Sequence, residues 1–419
     1  MRESAGGAGT VQATEERHAS RLELFFDLIV VAGVGQLAHL LYDDPGFADL
    51  GLYTLMFLAF WTVWMLFALY GNVAAEKIHM RVLMAGMFGM AMMAAAVPGV
   101  REDKATVFAL AYVVVRLIAS SAGRERGQVL VDVPIVQMST GLVPWVISLW
   151  TEGTTQYTLW AVGLGLDLLI MITMSSERVE AEVQERLDRM NRSRRTRREP
   201  RGGPRGPRPG RPAPTVSLTR TETGHLDERL GLFLLIMLGE SLIQMVDAAG
   251  ESTWDGSLYG VAIGAFFLLL QLWSLSLRHG TNGVPLLRSG AIPVRTALPL
   301  HCFTAGTVAA MAAALGGTIK CAGEEMPDAV QHLLCGTVTI YLALAAIASL
   351  ASGRGLQWTL TALVPPTLAV GLMALLQAVE WTPVAVVWVL VASTRWPIYW
   401  LRRAEKTADP GAVKGGVCP

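Results

Sequence analysis

Glu240 is the residue best placed to do chemistry. It is a carboxylate in the middle of the apolar run Leu230 to Val246, it follows Gly239, and Ser241 and Gln244 lie near it on a helix. A carboxylate so placed can carry a proton, hold a cation or act as an acid–base catalyst. Asp27 sits about one and a half turns into another apolar run, with Glu23 four residues before it on the same helical face. Asp167, Arg116 and Arg395 are the other ionisable groups in apolar surroundings. An ionised group in a bilayer costs on the order of 2.5–3.5 kcal/mol on insertion scales, so such groups turn inward and need partners. Arg116 and Arg395 are expected to neutralise two of the three acids Asp27, Asp167 and Glu240, and the remaining acid can stay protonated. For Asp167, Arg116 and Arg395 structural pairing is the preferred reading, and for Glu240 a functional one.

Other residue types carry less. His39 and His301 can titrate or bind a metal, but no HxxxH or ExxH spacing surrounds them, and a hydrogen-bonded structural role is the preferred reading for both. Met80, Met84, Met87, Met90 and Met93 form a helical stripe that favours packing over soft-metal binding. Four cysteines, Cys302, Cys321, Cys335 and Cys418, make neither a disulfide framework nor a CxxC site. There is no phosphate-binding P-loop, no G-x-S-x-G elbow and no DDxxD motif, so no cofactor, metal or nucleotide is implied.

The elements that must position these groups are membrane helices. The chain of 419 residues is 52% hydrophobic and 16% charged, against about 25% charged in soluble domains. A bilayer core of about 30 Å needs about 20 apolar residues of helix. Twelve runs qualify: 22–41, 51–71, 80–98, 105–121, 134–150, 156–174, 230–247, 258–277, 296–316, 330–350, 358–377 and 382–400. The 105–121 run is short and holds Arg116, and 134–150 holds two prolines. Residues 1–20 are polar and lack the apolar core of a signal peptide, so the first span is expected to insert itself. The net charge of zero conceals segregation. Alternate loops hold Asp43, Asp44, Asp49, Glu102, Asp103, Glu152, Glu251, Asp255, Glu324, Glu325, Asp328 and Glu380, with only Arg101, Lys104 and Lys320 against them. The other loops and both termini hold nearly all remaining bases and are therefore assigned to the cytoplasm. The expected fold is all-α and polytopic, with both termini cytoplasmic.

Five segments result: a tail (1–20), a first six-helix half (21–175), a basic linker (176–224), a second six-helix half (225–401) and a tail (402–419). Residues 176–198 are expected to prolong the sixth span as a helix with i,i+4 pairs Glu182–Arg186, Glu185–Arg189 and Asp188–Arg192. The following Pro/Gly/Arg-rich stretch reads as a solvated linker near anionic lipid rather than a nucleic-acid site. The halves look related. Arg21-Leu-Glu-Leu-Phe25 matches Arg229-Leu-Gly-Leu-Phe233, and Gln36 and Gln244 follow at equal distance. Thr140-Gly-Leu-Val-Pro144 matches Thr361-Ala-Leu-Val-Pro365, and Trp160 precedes Asp167 as Trp388 precedes Arg395. Six spans per half imply a parallel repeat, and prolines interrupting corresponding helices point to a binding site.

Two stretches resemble the bacterial low-temperature-requirement A (LtrA) family. One is Arg17-His18 with Arg21-Leu-Glu-Leu-Phe-Phe-Asp27 running to Gln36-Leu37-Ala38. The other is His225-Leu-Asp-Glu228-Arg229 with Leu238-Gly239-Glu240-Ser241. Trp61, Trp64, the Tyr112–Arg116 stretch and His301 also fit. The resemblance implies an integral membrane protein, attaches no reaction or substrate, and marks Asp27, Glu228, Arg229 and Glu240 for testing. The leading functional reading is a proton- or ion-coupled transporter or channel-like protein for a small solute, embedded in the lipid bilayer and compatible with homo-oligomers. An intramembrane enzyme using Asp27, Glu240 and His301 on a lipid is the first alternative, and a scaffold or sensor signalling through the linker is the second.

Overall fold

Helices form wherever Leu, Val, Ala and Phe run on without a breaker, and their starts are set by local polar chemistry. Ser20 begins the first one. Its hydroxyl accepts from the Glu23 amide at 3.3 Å, and the Glu23 carboxylate accepts from the Ser20 amide at 2.9 Å, a reciprocal capping box. Asp255 starts another by accepting from the Leu258 amide at 2.8 Å. The computed structural model describes residues 18–41, 45–74, 80–124, 128–130, 132–197, 217–375 and 381–408.

In chain order the helices are α1 (Arg21–Leu37), α2 (Phe47–Ala74), α3 (Met80–Ala96), α4 (Ala105–Arg124), α5 (Ile135–Met138), α6 (Leu142–Ile147), α7 (Gly153–Thr173) and α8 (Ser176–Arg197). They continue with α9 (Thr223–Gly250), α10 (Gly256–Trp273), α11 (Val294–Lys320), α12 (Asp328–Ala351), α13 (Leu356–Ala362), α14 (Val364–Leu375) and α15 (Pro383–Ala408). Among the described residues, ten helical segments are long and apolar enough to cross a membrane by length and composition. Ala105–Ser120 and Ser139–Trp150 are shorter apolar segments that coincide with the two remaining expected spans.

Three features differ from the sequence expectation or were not foreseen. The sixth span does not run on into the linker. It ends at Thr173, Met174 is extended, and the Ser175 hydroxyl accepts from the Arg178 amide to start α8. In α8 the Glu185–Arg189 pair forms at 3.0 Å, whereas the side chains of Glu182 and Arg186 lie outside the described residues, as does the stretch 198–216. The linker returns as a strand: β1 (Gln128–Leu130) pairs in parallel with β2 (Ser217–Thr219), and Asp132 accepts from the Thr221 amide and hydroxyl at 2.9 and 3.0 Å. Cys302, Cys321 and Cys335 are free thiols.

The two spans that share the Leu-Val-Pro motif are broken at it. The first breaks in a 3-10 turn at Ser139–Gly141, and the second at Leu363 between α13 and α14. Each proline then sits in the first turn of the next short helix, where its missing N–H costs nothing. Carbonyls near the breaks find partners. Arg116 donates to Met138 O at 3.0 Å, and the Trp396 indole donates to Thr361 O at 3.0 Å.

Contacts among the loops gather them at two opposite ends. Arg101 pairs with Asp49, the Tyr157 hydroxyl reaches Val100 O at 2.9 Å, and Lys320 pairs with Glu251 at 2.8 Å. At the other end Asn72 meets Glu222, Arg295 meets Met174 O, and Arg288 meets Ser352. Between the ends the outer surface is apolar, with Leu28, Leu117, Leu169, Leu235, Ile243, Ile263 and Leu372 exposed, as a lipid-facing surface requires.

Candidate functional site

Helices α1 and α9 lie side by side in the same direction. Glu23 meets His225 and Arg229, Asp27 meets Arg229, and Gly35 meets Glu240, so contacts advance together along both helices. The seam buries charge at its start and keeps one carboxylate further along. Asp27 and Gly35 are separated by about 12 Å of helix at about 1.5 Å rise per residue.

The buried end is a cluster from three helices. Arg229 of α9 forks between two carboxylates of α1, with Nη1 at 3.0 Å from Glu23 Oε1 and Nη2 at 2.5 Å from Asp27 Oδ1. The Trp64 indole of α2 also donates to Asp27 Oδ1, at 2.7 Å. His225 Nε2 lies 3.7 Å from Glu23 Oε2. Asn72 of α2 exchanges two hydrogen bonds with the backbone of Glu222, at 2.8 and 2.9 Å, and its amide nitrogen lies 3.3 Å from His225 Nδ1. Asp27 is 0% exposed, and Glu23, Arg229 and His225 are equally inaccessible. Asp27 Oδ2, Arg229 Nε and His225 Nε2 are buried without a hydrogen-bond partner. Gly71 of α2 makes the approach possible, because a Cβ there would lie 2.5 Å from Glu23 Oε1.

A second buried pair lies within the first half. Arg116 of α4 pairs with Asp167 of α7, and also donates to the Tyr112 hydroxyl at 2.8 Å and to Met138 O. Trp145 and Trp160 stack 4.8 Å apart beside it, with Tyr112 against Trp145 at 3.9 Å.

The expected partner assignments hold only in part. Arg116 does neutralise Asp167. Arg395 does not neutralise a carboxylate: it is exposed on α15 and makes no ion pair among the described residues. The base beside Asp27 is Arg229, which the sequence placed just outside its span. The α9 helix begins six residues earlier, at Thr223, so Arg229 is two turns inside it. Glu228 stays half-exposed and ties down the residues just before α1, accepting from the Ala19 amide at 3.2 Å with His18 Nδ1 at 3.4 Å.

Glu240 faces neither Arg395 nor Arg116. It is half-buried on α9, its carboxylate lies against the bare backbone of Gly35, and Gln244 donates to it at 3.3 Å. Gln36 turns to the other side of α1 and lines an apolar cavity of about 360 Å³ between α1 and α3, with Gly33, Ala91, Ala94 and Ala95. His301 is saturated. Trp61 Nε1 donates to its Nδ1 at 3.1 Å, so the ring proton is on Nε2, which reaches Leu230 O at 3.1 Å. With both nitrogens engaged, it has no lone pair for a metal and no free site for acid–base exchange. Met87, Met90 and Met93 pack in the core, whereas Met80 and Met84 are exposed.

Asn72 and Gly71 escaped the sequence reading, and His225 entered it only within the family stretch, because they lie near helix ends, where polar residues are ordinary. Ser20-x-x-Glu23 was legible as a capping box and would have located Glu23 at a helix start. The family described as Bacterial low temperature requirement A protein (LtrA) matches residues 18–394 of this chain. Comparison with curated proteins returns no match.

Proposed function

The chain belongs to the bacterial low-temperature-requirement A (LtrA) family of multi-pass membrane proteins, and on that premise we propose that it is a proton-coupled transporter of a small polar solute. The observation that carries this reading is the α1–α9 seam, a line of acidic groups from Glu23 and Asp27 to Glu240 between parallel helices in a largely apolar bundle. Ionisable groups persist at membrane depth where they move protons or bind cargo. In this reading twelve segments cross the bacterial inner membrane as two related six-helix halves. Both termini and the basic linker are cytoplasmic, and the seam joins the corresponding first helices of the halves. Glu240, unpaired and half-buried, exchanges protons with the outer half of the path, and the Asp27 cluster does so at the cytoplasmic end. An intramembrane enzyme built on Asp27, Glu240 and His301 gains no support from a histidine with both nitrogens engaged.

The test is solid-supported-membrane electrophysiology on proteoliposomes, with pH jumps and a panel of amino acids, sugars and organic cations. Wild type is expected to give transient currents with pH jumps and with one solute class, and Glu240→Gln to abolish them while eluting as a folded protein. Equal currents in wild type and Glu240→Gln, or none from wild type, overturn the proposal.

A further inference from the structure

We propose that Asp27 carries one exchangeable proton on Oδ2, and that Asn72 directs it there by holding His225 in its neutral, Nε2-protonated form. The assignment begins with Asn72. Its amide oxygen accepts from the Glu222 N–H at 2.8 Å and its amide nitrogen donates to the Glu222 carbonyl at 2.9 Å, so the backbone of one residue settles which end is oxygen and which is nitrogen. The nitrogen also lies 3.3 Å from His225 Nδ1. A donor facing Nδ1 requires a lone pair there, so the single ring proton of His225 is on Nε2, toward Glu23. An imidazolium would place an N–H against an N–H.

With His225 neutral, the buried charges are two carboxylates, Glu23 and Asp27, against one guanidinium, Arg229. Among the described residues no other element brings a compensating cation. Helix α2 supplies Trp64 and Asn72, α11 supplies His301 with both nitrogens used, and on α3 Arg81 is exposed while the packed side chains are apolar. His18 and Glu228 sit at the exposed rim. A net buried negative charge is strongly disfavoured at membrane depth, and one proton removes it.

Geometry selects the carboxylate. Glu23 lies in the first turn of α1 and uses Oε2 to accept the Ser20 N–H, a helix-start position that favours the anion. Asp27 takes both of its hydrogen bonds on Oδ1, from Trp64 and Arg229, and leaves Oδ2 buried without a partner. With two acids against one base, Oδ2 is the oxygen left to carry the proton, and Oδ1 is the carbonyl oxygen. Loading turns the Asp27 carboxylate and a proton into the neutral acid, and release returns the proton and leaves the cluster with one negative charge.

The inference rests on the transport reading only for the use made of the proton. Both of its readouts are equilibrium spectra of the purified full chain, so it can fail while transport currents persist, or stand when they are absent. Infrared spectra at neutral pH are expected to show a protonated carboxylic-acid carbonyl band that is lost in Asp27→Asn and kept in His225→Gln. Nitrogen-15 NMR of labelled histidine is expected to report His225 as the neutral Nε2–H tautomer in wild type. In Asn72→Ala it is expected to become imidazolium, with simultaneous loss of the acid band. An imidazolium at His225 in wild type, or an acid band unaffected by Asp27→Asn, overturns the proposal. The wild-type histidine spectrum decides even if a variant does not fold.

Discussion

The Arg116–Asp167 pair and the Arg229 cluster use the same residue types at similar burial, but they differ in charge count. The first has one base and one acid, with the remaining guanidinium donors on the Tyr112 hydroxyl and Met138 O. It is electrically closed and lies within one half of the molecule, where it also satisfies a carbonyl freed by a broken helix. The second has one base and two acids beside a histidine whose Nδ1 faces the Asn72 amide nitrogen, and it joins helices about two hundred residues apart in sequence. A balanced pair behaves as structure, whereas an unbalanced cluster must take up or release something to reach neutrality. Burial alone, which both share, does not distinguish the two roles.

The largest effect is expected from opening the balanced pair. Arg116→Ala and Asp167→Asn each leave an uncompensated buried charge and are expected to destabilise by about 3–5 kcal/mol, read as a large fall in melting temperature in detergent. The double variant Arg116→Met/Asp167→Leu is expected to regain most of that loss. If it is as unstable as the singles, the pair is more than charge balance.

A smaller effect is expected where the cluster is crowded rather than discharged. Gly71→Ala puts a methyl where Glu23 Oε1 lies, and Glu23 is held on both sides by Ser20 and Arg229. Displacing it is expected to cost about 1–3 kcal/mol of stability, in the range for overpacking. A variant as stable as wild type would show that the Glu23 side chain yields freely.

The smallest effect on stability is expected from Asp27→Asn. The amide reproduces the shape of a protonated Asp27 and keeps an acceptor toward Trp64 and Arg229, so melting should change by less than about 1 kcal/mol, while pH-driven currents are lost. Set beside Asp167→Asn, the same chemical change then separates a working carboxylate from a structural one. Equal destabilisation by the two substitutions would erase the distinction.

Much of the fold was legible in the sequence because a bilayer leaves few options. A chain that buries its backbone polar groups in lipid does so as helices of a set length, and the apolar runs show where they are. The broken spans were legible from Pro144 and Pro365, and so was the need of Arg116 for a carboxylate, but not which of Asp27, Asp167 and Glu240 it would meet. The Asp27 site was only half legible. Asp27 and Glu23 could be placed on one face by spacing alone, and Arg229 was marked only by the family resemblance, but His225 and Asn72 sit near helix ends, where a polar residue carries no signal against its background. Arg395 shows the opposite failure, since a base inside an apolar run was read as buried although its side of α15 faces outward.

The sequence by itself therefore determined that this is a helical multi-pass membrane protein of the LtrA family, with acidic and basic loops segregated and a few ionisable groups at depth. Period, length and charge bias are local properties, and the bilayer turns them directly into structure. Only the tertiary structure decided which charges meet. Ion pairing depends on which helix faces touch, and α1 and α9 touch across about two hundred residues of intervening chain. That contact turned Asp27 from one buried acid among several into the unbalanced member of a cluster, and it left Glu240 beside Gly35 with no base among the described residues.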